Sequence, residues 1–430
     1  MTEVHSQITT SVSSLLATSS PTSSTTSTVA AVSLPLSCSQ VTNHNNNNNN
    51  TNIGNGKQLQ TKVFNQNQRH PTGGWKFVDE TELKKQRGVC WELLKSVGNS
   101  LIEGKELVNT CLPITLFEPR SFLEKLTDVW SYAPVYLPRA AATSDPLERM
   151  NNVVAFAISG IYLTSTLAKP FNPLLGETFQ GHYPDGTQVF CEQTSHHPPI
   201  SAWQIQGNGF HYHGQGLFSA SCRGNVVKAN QKGIHTINFS DGGTITYTVP
   251  EIFIKGIFWG DRITDFGGKV LFNDEKNKLC CEVTFNPTAL GFVRSIFSKQ
   301  KEPSDFFQGH IFRTGVTPQP ATTTSSHGKD KDKKKSTSDS TTELICEVEG
   351  SWLSQLTIGN KVYWELNMVP PGLIYDESPL PTDCRYREDL RYLKEGNIEK
   401  AKEYKALIED RQRNEAKLRK DGHKASKSKR

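Results

Sequence analysis

The chain has 430 residues, 35% of them hydrophobic and 9% aromatic, and its 48 Lys and Arg against 43 Asp and Glu leave a formal charge of +5. That length holds two average domains or one large β-barrel, and a charge so small matters less by its sum than by where it gathers. The longest apolar run, 153–163, is broken by Ser159 and Gly160 and falls short of the ~18–20 residues that span a bilayer. The nine cysteines, odd in number and without CxxC spacing, suit reduced thiols and argue against a disulfide framework or a structural zinc site.

No basic stretch followed by an apolar core opens the chain, so no secretory signal is expected. Residues 1–70 are Ser/Thr-rich and then run through Asn45–Asn50, a composition too polar to offset the entropy of ordering. They read as a disordered leader. Next, 81–101 predicts a helix with Cys90, Leu93, Leu94, Val97 and Leu101 on one face, beside Lys84, Lys85, Arg87 and Lys95. Such a helix packs on its own domain or, alternatively, touches a membrane. Helices are also expected over 118–128 and 147–164.

Two prolines and Gly176 make 169–177 a stiff, non-helical loop, which fixes where Lys169 and Asn172 point. Beyond it the texture is β. Runs at 188–191, 200–205, 235–240, 244–249, 269–272, 279–285 and 344–348 are rich in β-branched and aromatic residues, with turn signals such as Asp241-Gly242-Gly243 between them. Short strands at near-regular spacing predict a large antiparallel sheet that closes. Periodicity alone does not separate a barrel from a sandwich.

Inside this region stands Glu192-Gln193-Thr194-Ser195-His196-His197-Pro198-Pro199. Proline at 198 pushes His197 out of helical backbone. Neighbouring side chains of a flat strand point to opposite faces, so both imidazoles reach one ligand only if the strand ends or bends here. Imidazoles can each donate a proton to a phosphate monoester; a structural turn with one histidine bonded to backbone is the other reading. A second polar tract, 318–342, predicts a disordered surface insertion, because the 344–366 remainder is too short for a domain of its own. Helices then run over 389–394 and 398–420, broken at Gly396-Asn397, and 421–430 is a basic tail, either a frayed terminus or a contact for anionic lipid. Lys405, Glu409 and Arg413 recur every fourth residue and share one stripe, which makes either two ordinary ion pairs or one ligand-facing row.

The octapeptide 192–199 resembles the fingerprint of the oxysterol-binding-protein-related family, with Thr194 where that fingerprint has valine. The run Lys169-Pro170-Phe171-Asn172-Pro173-Leu174-Leu175-Gly176-Glu177 resembles the family's second hallmark. The likeness extends from about Gln86 to about Arg419. It implies a mainly β domain over 75–425 with flanking helices: a large incomplete antiparallel barrel around an apolar tunnel, an N-terminal helical lid carrying Trp91, Leu94 and Val97, and C-terminal helices.

The resemblance also implies a phosphoinositide site. His196, His197 and Arg413 would clamp the 4-phosphate, Lys169 would take the bridging phosphate, and Lys405 with Glu409 would contact ring hydroxyls. Phe171, Asn172 and Glu177 belong to the same loop, with Glu177 equally suited to orienting its neighbours. The function implied is non-enzymatic exchange, between membranes, of a phosphatidylinositol phosphate and a second lipid, sterol or phosphatidylserine. The expected setting is the cytosol, with transient attachment to anionic membrane surfaces, as a monomer, without cofactor, metal or nucleic acid. A sensor or scaffold that binds the same lipids is the alternative. A zinc hydrolase built on Glu192, His196 and His197 is disfavoured, since Pro198 and Pro199 preclude a helical His-Glu-x-x-His arrangement. The pleckstrin-homology-like and ankyrin parts of larger members are not found, which predicts a short form.

Overall fold

The computed structural model describes residues 68–98, 102–107, 111–287, 302–316 and 341–427. The expected leader lies almost wholly outside the described residues, as does the expected insertion. The described residues fall in one compact unit, 55–430. Its strands are β1 (Trp75–Lys76), β2 (Glu103–Glu106), β3 (Phe117–Ser121), β4 (Lys169–Phe171), β5 (Thr178–His182), β6 (Gln188–Ser195), β7 (Ile200–Gly207), β8 (Phe210–Arg223), β9 (Val226–Lys232) and β10 (His235–Phe239). They continue with β11 (Thr244–Tyr247), β12 (Glu251–Lys255), β13 (Ile263–Asp274), β14 (Leu279–Phe285), β15 (Phe306–Val316), β16 (Thr341–Ser351), β17 (Gln355–Ile358), β18 (Lys361–Glu365) and β19 (Ile374–Tyr375). The helices are α1 (Glu80–Val97), α2 (Phe122–Leu126), α3 (Ala133–Ala142), α4 (Pro146–Ser159), α5 (Glu388–Lys394) and α6 (Ile398–Lys427).

Seventeen strands form one sheet, and β3 with β4 forms a small parallel pair. The walk β19-β5-β6-β7-β8 is antiparallel throughout. At β8 the sheet divides: residues 210–214 pair with β10, and 217–223 pair with β9. Both branches rejoin on β13, through β11 and β12 respectively, and the sheet continues through β14, β15, β16, β17 and β18. This is the large antiparallel barrel-like sheet with flanking helices that the sequence predicts. Val316 and Thr341 are register partners, so the chain leaves and re-enters the sheet at adjacent points.

One face of the branch through β9 and β12 is largely apolar: Ala220, Ala229, Ile252 and Phe266 fall in one cross-strand row, and Cys222, Val227, Ile254 and Thr264 in the next. The opposite face carries Lys228, Glu251 and Lys255 in ion pairs. Most residues of β9 and β12 are half-buried on both faces, whereas β14 alternates strictly between buried and half-buried. The rest of the interior is filled by α4, through Met150, Val153, Val154, Phe156 and Ile158, against the aromatic row Trp203, Tyr212, Tyr247 and Phe272.

Within that row His235 is fully enclosed. Its Nδ1 receives the Tyr212 hydroxyl at 2.5 Å, and its Nε2 lies 2.8 Å from the Gln231 amide. Burial pushes its pKa down to about 3. The unfolded chain therefore takes up a proton near pH 6.5 that the folded chain refuses, and stability falls by up to about 1.4 kcal/mol per unit as pH drops from 6.5 toward 3. A histidine NMR titration checks this: the His235 ring resonances should stay fixed from pH 7 to pH 4.5.

Three local expectations need correction. The predicted helix over 118–128 is strand β3 followed by the short α2, because Pro119 holds Glu118 extended and Ser121 caps the helix by accepting from the Leu123 amide. Residues 169–171 form a short strand, β4, rather than loop. The C-terminal helix runs seven residues beyond Lys420, through Lys427, so residues 421–427 of the expected tail are helical. Helix α3, which contains Pro134 and Pro138, was not anticipated; burial of Tyr136, Leu137 and Ala140 overrides the lost hydrogen bond.

Candidate functional site

Strand β6 ends at Ser195, and the His197–Pro198 peptide is cis. The chain turns there and brings both imidazoles together, ring centroids 4.5 Å apart at 67°. The 169–177 segment is tied beside β6 by two backbone bonds, from Gly176 N–H to Gln193 carbonyl and from Gln193 N–H to Glu177 carbonyl, each 2.9 Å. Gly176 sits at φ +78°, a conformation that glycine adopts without strain. Helix α6 lays its Lys405–Arg413 stripe across the opening.

The result is a cavity of about 650 Å³ lined by Phe171 and Asn172 from one segment, His196 and His197 from a second, and Lys405, Glu409, Gln412 and Arg413 from a third. Its size is ordinary for a small-molecule site. Gln412 Nε2 lies 3.3 Å from His196 Nδ1. Burial and the neighbouring His197 lower the pKa of His196. Lys405 Nζ pairs with Glu409 Oε1 at 2.5 Å and faces the Phe117 ring at 5.6 Å. Arg413 lines the rim, but its guanidinium is 65% exposed and pairs with Asp410 at 2.5 Å. Arginine's planar fork can exchange such a surface carboxylate for a phosphate.

Lys169 lies just behind the lining. Its ammonium donates to the Asn172 side-chain oxygen and to the Pro170 carbonyl at 3.1 Å, and it sits 5.0 Å over the Phe117 ring. Burial, then the charges of Lys405 and Arg387, push its pKa down to about 7. Glu177 is apart from the cavity wall and only 4% exposed. Both of its oxygens are engaged, one by the Ser121 hydroxyl and the other by the Leu174 amide at 2.9 Å and Arg387 Nη1 at 2.8 Å.

The residues expected to form a lid are elsewhere. Trp91 is 41% exposed and packs on Phe258 and Trp259, ring centroids 5.1 and 6.4 Å away. Leu83 and Gln86 anchor α1, Gln86 by accepting from Arg262, while Arg87 donates to the Gly260 carbonyl. Leu94 is half-buried, and the side chain of Val97 lies outside the described residues. Sequence reasoning missed Arg387 and Arg419, which also line the cavity, and Cys111, whose thiol lies 3.3 Å from Glu409. The alternating Asp383-Cys384-Arg385-Tyr386-Arg387-Glu388-Asp389 was the available signal for Arg387. Among the described residues no group of three or more His, Cys, Asp or Glu is placed to hold a metal ion, and no helix is long and apolar enough to cross a membrane.

The family profile described as oxysterol-binding protein matches residues 91–429. Oxysterol-binding protein 9 of Dictyostelium discoideum is 56% identical over 368 residues, covering 85% of this chain and 83% of that one. Oxysterol-binding protein-related protein 1 of Homo sapiens is 31% identical over 350 residues, 72% of this chain but 36% of its own length. Among solved structures, the Osh1 ORD domain in complex with cholesterol superposes with a TM-score of 0.59 at 22% identity, over 83% of this chain and 84% of that one. The Osh3 ORD in complex with PI(4)P, from Saccharomyces cerevisiae, gives 0.57 at 24%, over 77% and 84%. Those two likenesses speak for the fold.

Proposed function

The chain belongs to the oxysterol-binding protein family, and on that premise we propose that it exchanges lipids between membranes without making or breaking a bond. One ligand is a phosphatidylinositol phosphate, phosphorylated at the 4-position; the second is a sterol or phosphatidylserine. The observation that carries this reading is the convergence of Phe171 and Asn172, His196 and His197, and Lys405, Glu409 and Arg413 on one cavity, the last segment more than 200 residues beyond the first two. A headgroup bearing several negative charges needs such a gathering of donors, and folding alone supplies it. In this arrangement His196, His197 and Arg413 hold the 4-phosphate, Lys169 the bridging phosphate, and Lys405 with Glu409 the ring hydroxyls.

The apolar rows on β8, β9, β12 and β13 suit acyl chains or a sterol. Tens of CH₂ groups at about 0.8 kcal/mol each are buried equally in a bilayer and in such a cavity, so the polar clamp decides the balance. The complexes of similar domains with cholesterol and with PI(4)P accord with both ligand classes. Helix α1, with Trp91 and Leu94, serves as the lid, and the protein works from the cytosol as a monomer that touches anionic membranes transiently.

The test is transfer between two vesicle populations, one carrying phosphatidylinositol 4-phosphate and the other cholesterol or phosphatidylserine. Exchange of the inositide against one of them is the expected result. Saturable binding with negligible transfer would instead identify a sensor or scaffold.

A further inference from the structure

Arg387 immediately precedes α5, is 7% exposed, and bonds more of the site's backbone and side chains than the other lining residues described. Its Nε and Nη2 donate to the two oxygens of Asp389 at 3.1 and 2.8 Å. Its Nη1 donates to the Asn172 carbonyl and to Glu177 Oε2, each at 2.8 Å. The guanidinium Cζ lies over the Phe171 ring, 5.4 Å from its centroid. One side chain thus grips the Lys169–Glu177 segment at its middle, Phe171–Asn172, and at its end, Glu177.

We propose that Arg387 is the positioning residue of the headgroup cavity, with Glu177 as its counter-ion rather than a ligand contact. It fixes where Asn172 points and sets how readily Lys169 holds a proton. This inference rests on the phosphoinositide reading above and assigns the inner support of the same site. Burial pushes the Glu177 carboxyl above its ordinary range, and the charge of Arg387 opposes that push. The charged and titratable groups around Lys169 are Lys405 with Glu409 from α6, Arg387 with Asp389, Glu177 at the end of its own segment, and the two histidines across the cavity. From β3 the neighbour is the apolar Phe117 ring. Of the two cations depressing Lys169, Lys405 acts more strongly, and Arg387 is the one with every guanidinium nitrogen bonded to a protein oxygen.

The experiment measures calorimetric binding of soluble inositol 1,4-bisphosphate from pH 6 to 9, for the wild type and for Arg387→Lys, Arg387→Met and Glu177→Gln. Arg387→Lys keeps the charge and loses the fork; it should bind about tenfold more weakly with an unchanged pH midpoint. Arg387→Met removes the cation and should move the midpoint upward, whereas Glu177→Gln leaves the arginine less compensated and should move it downward. Opposite shifts are a signature that simple loosening of the fold does not produce. Hydrogen exchange of amides 169–177, run on the unliganded proteins, should rise in Arg387→Lys. Midpoints that stay fixed, or wild-type affinity in Arg387→Lys, would overturn the proposal. If the wild type itself fails to bind the probe, the phosphoinositide reading fails; unchanged exchange in Arg387→Lys then overturns the positioning role independently.

Discussion

Alanine at both His196 and His197 should abolish extraction of the phosphoinositide while uptake of the second lipid survives. Each imidazole offers a charge-assisted hydrogen bond worth about 1.5–3 kcal/mol, so losing two weakens headgroup binding on the order of 100-fold or more. The fold should tolerate the change. His197 is exposed, His196 is half-buried, and the side-chain bonds given up are those of His196 with Gln412 at 3.3 Å and with the Pro173 backbone. Vesicle extraction assays with a labelled inositide and, separately, a labelled sterol or phosphatidylserine read the two activities. Joint loss in a variant that still melts like the wild type would show that the division of roles is wrong.

Headgroup binding should draw a proton from solution above pH 7. Lys169 in the empty cavity has its pKa pushed down to about 7, so at pH 8 most molecules carry it neutral. A phosphate beside it restores the charge, and affinity therefore falls as pH rises from about 7 to 9. Calorimetry at pH 8 in two buffers of different ionisation enthalpy should give different heats; equal heats would refute the coupling.

The same residue destabilises the empty protein. A lysine of the unfolded chain titrates near pH 10.4, so between 7 and 10.4 the unfolded state binds the extra proton and stability rises with pH. At neutral pH the folded protein bears the cost of about 1.4 kcal/mol per unit of depression, reduced because the side chain is only half-buried by surface area. Lys169→Met should accordingly raise the Tm, by a gain of roughly 1–3 kcal/mol, and lose phosphoinositide extraction. A variant that melts lower than the wild type would contradict this account.

Much of the architecture was legible because the signals were local and chemical. The strand 279–285 coincides with its prediction, since its alternation and flanking turns leave one reading. The longest strand, β8, was missed because Gly214, Gly216 and three polar residues between 211 and 215 disguise its period. It is held instead by pairing with β7 on one side and β9 and β10 on the other, a tertiary effect that no window sees. At the site, rigid punctuation marked the His196–His197 and Lys169–Asn172 positions, and both line or abut one cavity. The charged run 383–389 hinted at Arg387, but its role was hidden because its partners Asn172 and Glu177 lie more than 200 positions away. Ion pairs buried at that separation follow from the fold rather than from spacing.

Helix α6 completes the cavity, yet Ala401 is its only buried residue among those described. A ribosome makes it after every strand of the sheet. A nascent chain halted before Lys405 would thus possess the sheet and both histidines yet lack the wall that α6 adds to their cavity. Closure of that cavity is withheld until translation has passed the sheet altogether.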